Sequence, residues 1–347
     1  MEWSTDILGP DFQSCSIEAA GRDGTVRRAT LVRHRPADTD PPASPPVDFP
    51  AGKERSRGSV LFLHGWSDYF FNVDLAKFWT ARGYGFYALD MHNHGRSLTD
   101  GHPGGYVANL DDYDAEISCA LEAMEVDRPA GAGTGTALMG HSTGGLVAAL
   151  WTSRHPGRVK HLILNSPWLE MHGSSLVRRA AQAMVGPLAR VRPEAVLRLP
   201  ERGFYFRSIS NTAEGEWPLD ERYRPPLAFP VRAGWLSAVL AGHTQVARGL
   251  RLEIPVLVLT SSTSANGMVW QEAMRRSDAV LDVDVIALRA MALGHSVTLE
   301  RIEGALHDVF LSAPDVRAEA YARLSRWIRG YMDAPTHGEK GTHDHNG

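Results

Sequence analysis

The stretch LMGHSTGGLV, Leu138 to Val147, places a serine between two glycines where one apolar run ends and another begins. The preceding residues, TALMGHS, have the short apolar character of a buried strand, and GGLVAALWTSRH has helical spacing up to the Pro156-Gly157 stop. Gly140, Ser142 and Gly144 therefore sit at a strand-to-helix joint. One reading is a glycine-rich turn before a helix. The other is a nucleophile on a sharp elbow, where the residues two before and two after must be small because strand and helix pass very close. Strand before and helix after is the context the second reading requires.

The surroundings repeat the same alternation. SVLFLHG (59–65) and YGFYALD (84–90) are predicted buried strands, as is VKHLILNSP (159–167). DLAKFWTARG (74–83) and LDDYDAEISCALEAM (110–124) are predicted helices between them. This pattern implies an α/β fold with a mostly parallel, doubly wound sheet. Before it, FQSCSIEA and TVRRATLVRH read as two strands flanking the turn signal GRDG. Residues 36–58, rich in proline and charge, are expected to form an exposed loop. After Pro167 the alternation breaks. Residues 169–230 hold the helix-like SLVRRAAQAMVGPLARV and then irregular stretches rich in arginine, aromatics and proline. The alternation resumes with the helix WLSAVLAGHTQVARGL and the strand IPVLVLT, and continues through VTLERIEG and a final amphipathic helix, DVRAEAYARLSRWIRGYM. The expected organisation is a core in two parts, 1–168 and 246–333, an inserted cap at 169–245, and a disordered polar tail at 334–347.

A serine hydroxyl needs a base, and the base needs an acid to hold its tautomer. In chain order the acid and then the histidine follow the serine. Of 15 histidines, His307 in RIEGALHDVFLS lies after the last strand, where the base belongs. The acid is less direct. The strand VLVLT ends at Thr260, and SSTSANGMVWQEAMRRS follows without an aspartate. Asp278 is the first, and is preferred because a helix and a strand fit between it and His307; Asp282 and Asp284 are the alternatives, each also readable as a helix N-terminal residue. An oxyanion hole requires two backbone N–H groups, assigned to Thr143 after the serine and to Trp66 in the loop LHGWSDYFF. His64 is read as a brace for that loop.

With these residues in place, the chain resembles the α/β-hydrolase superfamily, and within it the monoacylglycerol lipase and lysophospholipase-like serine hydrolases of serine aminopeptidase S33 type. The segments LHGWSDY, ALDMHNHGRS, GHSTGG, LILNSPWL and IEGALHD carry the likeness across most of 59–330. The resemblance implies an α/β-hydrolase fold with a helical cap, an acyl-enzyme mechanism on carboxylic esters, and no cofactor or metal. It also supports Trp66 and Thr143 as oxyanion donors and places Asp90 to Ser97 near the site. Tyr69, Phe70 and Trp168 are the expected substrate contacts. Peptidase, lactonase and C–C bond hydrolase chemistry, or a non-catalytic binding role, are the alternatives. Thr143 departs from the methionine more usual after the serine.

Other signals exclude more than they assign. The formal net charge is −4 with no basic block, so nucleic acid is not an expected partner; a small ester is. No apolar run reaches a membrane span, MEWSTDILGP has no signal-peptide pattern, and Cys15 and Cys119 are few and distant, so a cytoplasmic location is expected. GAGTGT (131–136) precedes a strand instead of following one, which marks it as a turn and not a dinucleotide loop. The cap arginines fit either a solvated face or an anionic head group. The cap aromatics fit either an acyl pocket or a seal onto the sheet.

Overall fold

The computed structural model describes residues 1–21, 24–36, 57–128, 133, 135–171, 175–199 and 201–333. Arg22 and Asp23 of the GRDG turn, most of the 36–58 loop, part of GAGTGT and the 334–347 tail fall outside the described residues.

Nine strands form one sheet: β1 (Ser4–Asp6), β2 (Gly9–Ala20), β3 (Val26–His34), β4 (Ser59–Leu63), β5 (Gly85–Asp90), β6 (Thr136–His141), β7 (His161–Asn165), β8 (Val256–Ser261) and β9 (Val297–Ile302). Their order is β1-β2-β3-β5-β4-β6-β7-β8-β9. The β1, β2, β3 and β5 pairings are antiparallel, and every pairing from β5 through β9 is parallel. The helices are α1 (Val73–Thr80), α2 (Asp114–Asp127), α3 (Thr143–Arg154), α4 (Ser175–Val191), α5 (Phe204–Ile209), α6 (Ala233–Ala247), α7 (Val283–Ala290) and α8 (Pro314–Trp327). The fold is an α/β-hydrolase fold.

Strand residues alternate strictly between two hydrophobic layers, as the period-2 geometry of a strand requires. Leu61, Leu63, Leu138 and Leu162 face α2, α3 and α6, which add Ile117, Leu150 and Val239. Val60, Phe62, Met139 and Ile163 face α1 and α8, which add Trp79 and Leu324. Covering both faces explains why β4 and β6 read as continuous apolar runs in place of alternating ones. Helices α4, α5 and α6 all lie between β7 and β8. The loops leaving the C-terminal ends of β4, β5, β6, β7, β8 and β9 gather at one edge, where open α/β sheets hold ligands.

Burial at this edge sets an acid limit on stability. Desolvation pushes His141 down to about 3, with the neighbouring His307 adding to it. It pushes His243 down to about 4 and His94 well below its ordinary value. Natively these rings stay neutral, while the unfolded chain protonates them near 6.5, so acidification favours the unfolded state. The burial-raised carboxyl of Asp308 acts in the opposite sense, one group against three. Unfolding free energies from urea titrations are therefore expected to fall steadily as pH drops from about 6.5 towards 4, by up to about 1.4 kcal/mol per pH unit for each histidine.

Candidate active site

The site starts from a close approach of backbones. A Cβ on Gly144 would lie 2.1 Å from the His64 carbonyl oxygen, and one on Gly140 would lie 2.5 Å from the Gly144 carbonyl oxygen. Glycine at both positions lets α3 pass directly over the ends of β4 and β6. The chain turns between them at Ser142, with φ 53° and ψ −119°, a conformation that costs a non-glycine residue about 1–3 kcal/mol. Hydrogen bonds hold the turn: Ser142 N–H donates to the Asn165 carbonyl (3.0 Å), and the Ser142 carbonyl accepts from Trp168 N–H (3.0 Å). The Ser142 side chain does not cap α3 and is partly exposed.

The hydroxyl meets a histidine. His307 Nε2 lies 2.9 Å from Ser142 Oγ, and His307 Nδ1 lies 2.9 Å from Asp278 Oδ2. Ring and carboxylate are buried, 2% and 0% exposed. Asp278 arrives by a detour. After β8 the chain runs to Ser264, leaves, forms a 3-10 turn at Glu272–Arg276, and returns as an isolated bridge pairing Ser264 with Asp278. Asp278 N–H donates to the Thr263 carbonyl, and Ala265 N–H donates to the Asp278 carbonyl. Oδ1 of Asp278 accepts from Val280 and Leu281 N–H, leaving Oδ2 for the imidazole. Asp282 caps α7 by accepting from Asp284 and Val285 N–H, and Asp284 lies in that helix's first turn. These are the helix N-terminal positions that were the other reading of both residues.

The loop after β4 borders the serine. A Cβ on Gly65 would lie 3.3 Å from Ser142 Cβ, so the Gly65–Trp66 peptide runs alongside the elbow. Thr143 N–H opens α3, among the donors a helix leaves without an intrahelical acceptor. His64 braces the loop: its Nε2 accepts from Met91 N–H, and its Nδ1 lies 2.7 Å from the Gly65 carbonyl. Asp90 does the same from β5, accepting from Phe70 N–H and from both backbone and guanidinium of Arg96.

The three expected substrate contacts divide. Trp168 packs 6.0 Å from Trp235, which stacks on Trp66 at 4.3 Å, so a tryptophan wall stands beside Ser142. Tyr69 is buried against Phe71, Ile209 and Leu306, and its hydroxyl accepts from Asp220 N–H. Phe70 is not at the site: it is 1% exposed and packs with Phe12, Phe62 and Phe86 in the layer under α1 and α8. In this loop Tyr69 and Phe71 join one cluster and Phe70 the other, so neighbouring aromatics face opposite ways.

Residues to which the sequence assigned no part beside the base support the histidine. Asn165, at the end of β7, donates to Asp308 Oδ1 (2.6 Å) and accepts from Val309 N–H (3.1 Å), which pins the His307 loop to the sheet. Tyr205 of α5 packs edge-on to the His307 ring at 5.0 Å and reaches His141 Nε2 at 3.4 Å. Arg224 stacks on Tyr205 and pairs with Asp68 at 2.6 Å, with both ions 7% exposed. The motifs HGWSD, LILNSP and LHD contain Asp68, Asn165 and Asp308, but nothing local to them signals these partners.

The sequence profile of a known family, described as serine aminopeptidase, S33, matches residues 54–314. The chain belongs to this family. It is therefore a hydrolase-family protein, with the α/β-hydrolase fold described above. A bovine (Lyso)-N-acylphosphatidylethanolamine lipase is 30% identical over 155 residues, 42% of either chain. The hydrolase thus aligns with about two fifths of that relative's length. Among solved structures it resembles a monoacylglycerol lipase from Paleococcus ferrophilus, at TM-score 0.60 and 19% identity, over 80% of this chain and 95% of that one. It also resembles a thermostable carboxyl esterase from Bacillus coagulans, at TM-score 0.62 and 15% identity, over 93% of this chain and 100% of that one. Both likenesses are of fold. No helix among the described residues is long and apolar enough to cross a membrane.

The close approach at Gly144 gives a direct expectation. Gly144→Ala in this hydrolase puts a methyl group against backbone, so the unfolding free energy measured by denaturant titration should drop by the upper end of overpacking penalties, about 3 kcal/mol, or the chain should fail to fold.

Proposed function

We propose that the protein is a serine hydrolase of carboxylic esters, acting on monoacyl lipid-like substrates through an acyl-enzyme. The observation that carries this reading is the continuous line Ser142 Oγ, His307 Nε2, His307 Nδ1, Asp278 Oδ2, with both contacts at 2.9 Å. In the proposed mechanism His307 accepts the hydroxyl proton as Ser142 attacks the ester carbonyl. Asp278 holds the ring with Nδ1 protonated and offsets the charge it gains. The N–H groups of Trp66 and Thr143 receive the oxyanion. His307 then protonates the departing alcohol, and water enters by the same base to release the acid.

The wall of Trp66, Trp168 and Trp235 suits an apolar acyl chain. An aminopeptidase would need a carboxylate beside the serine to hold an α-ammonium group. The buried carboxylates of this region are otherwise engaged: Asp68 with Arg224, Asp308 with Asn165, and Glu170 with Arg178 and Arg289. That favours esters over peptides despite the family's description. The lipase and esterase relatives point the same way.

Ser142→Ala should lower kcat on a short p-nitrophenyl ester by roughly 10⁴- to 10⁶-fold with the fold retained, and should abolish fluorophosphonate labelling. Retained turnover or labelling would remove Ser142 from the mechanism. The competing acids are separated by a pair of variants. Asp278→Asn should cost roughly 10⁴-fold in kcat. Asp282→Ala should leave kcat within severalfold and cost about 1 kcal/mol of stability as a lost N-cap. Activity should rise from acid towards neutral pH, because a protonated imidazole cannot take the serine proton.

A further inference from the structure

The excursion from Ser264 to Asp278 delivers the acid, but its middle does something else. The 3-10 turn at Glu272–Arg276 and the buried side chain of Met274 give the bend a fixed shape. From it Trp270 reaches the segment inserted between β7 and β8. Phe204 of α5 packs edge-on to the indole at 6.0 Å, and the Arg207 guanidinium lies over it at 4.2 Å. Phe204 and Arg207 are three residues apart, so they share one side of that helix. Glu214 joins the two elements, pairing with Arg207 at 2.8 Å and reaching Arg275 of the bend at 3.9 Å.

Tyr205, between Phe204 and Arg207 in the chain, meets the base instead. Its ring packs on the His307 imidazole at 5.0 Å, beside the His141 ring at 4.9 Å. Ile209 secures the far end of α5 in a cluster with Leu306 and Leu311, and Arg224 stacks on Tyr205 at 4.7 Å. Trp270 bears on the first turn, the end that carries Tyr205. The acid does not need this prop. Asp278 has its own clasp, donating from N–H to the Thr263 carbonyl and accepting at its carbonyl from Ala265 N–H. The route from Trp270 to the imidazole therefore runs through α5.

We propose that Trp270 is a positioning residue for the base: it seats the first turn of α5, and α5 lays Tyr205 against His307. One bend then serves the imidazole twice. Its end fixes the ring through Nδ1, and its middle fixes the flank of the ring through a tyrosine on another element. Two hydrogen bonds hold the ring along the line from Asp278 to Ser142; a neighbour on its flank limits tilting about that line and keeps water away. The inference rests on the reading of His307 as the base of an ester hydrolase.

Trp270 is half-buried, so its replacement leaves the core intact. Trp270→Ala is expected to lower kcat on a short p-nitrophenyl ester about tenfold, with KM within about twofold and circular dichroism unchanged. Trp270→Phe keeps a ring for Phe204 and Arg207 and should bring kcat back to within about threefold of the parent. In a Tyr205→Ala background, Trp270→Ala should cost less than about twofold, because its route to the base is already gone. Carbethoxylation of His307 by diethyl pyrocarbonate, followed by peptide mass spectrometry, needs no turnover. It should run about fivefold faster or more in Trp270→Ala and in Tyr205→Ala, as the ring opens locally to solvent. The inference is overturned if Trp270→Ala keeps the parent's kcat and labelling rate, or if its loss of kcat is undiminished when Tyr205 is already alanine. Should the parent hydrolyse no ester, the ester-hydrolase reading fails and the labelling rates decide alone: acceleration in both variants upholds the brace, and the parent's rate in Trp270→Ala ends it.

Discussion

Everything at the C-terminal edge of the sheet depends on how closely α3 passes the ends of β4 and β6. Hydrogens at Gly140 and Gly144 admit carbonyl oxygens where a methyl group would collide. With the helix that near, the intervening residue has no room to leave the strand gradually. It turns at once, at positive φ, and its side chain is thrust away from both elements. The strain at Ser142 is local, while the packing that imposes it is spread over buried strands and a helix buried along most of its length. That is why the elbow can hold: the surroundings over-determine a conformation the residue alone would avoid.

The remaining parts of the site are tied to this elbow by polar contacts as well as by the packing of Leu306, Val309 and Phe310 around His307. Asn165 links β7 to the His307 loop, Asp90 holds the loop that carries Trp66, and the Ser264–Asp278 bridge anchors the acid. The segment between β7 and β8 closes on the same loop at three successive residues. Ser67 Oγ accepts from Phe229 N–H, Asp68 pairs with Arg224, and the Tyr69 hydroxyl accepts from Asp220 N–H. The buried Asp68–Arg224 pair contributes specificity more than net stability, since desolvating both ions offsets much of their attraction.

How much of this was legible in the sequence follows from the range of the forces involved. The central strands and flanking helices announce themselves through local hydrophobic period, and the glycines flanking Ser142 through a local steric need. Asp278 and His307 could be chosen by chain order, because topology fixes which loops reach the edge. Phe70 could not be placed, since an irregular loop has no period to tell one side from the other. The partners of Asp68, Asn165 and Asp308 lie far along the chain, and no pattern within a short window encodes them. For α4, the periodicity of SLVRRAAQAMVGPLARV reveals two faces but not which of them looks outward; that is set by the core against which Ala181 and Val185 pack and by Glu170, Leu240 and Thr244, all outside the helix.

The return of the chain at Ser264 and Asp278 has a bearing on engineering. Residues 266–277 depart and rejoin through the same ladder rung, so the carboxylate's address is set by a two-residue clasp and not by the distance travelled. Lengthening such an excursion adds only a logarithmic closure cost, roughly 0.6 kcal/mol per doubling. Within the excursion, Met274 is buried and Trp270 packs on Phe204 and Arg207, so the bend is also held by its own contacts. An insertion at an exposed point of the bend, such as Met268–Val269, would leave the clasp at Ser264 and Asp278, and with it the imidazole's partner, in place.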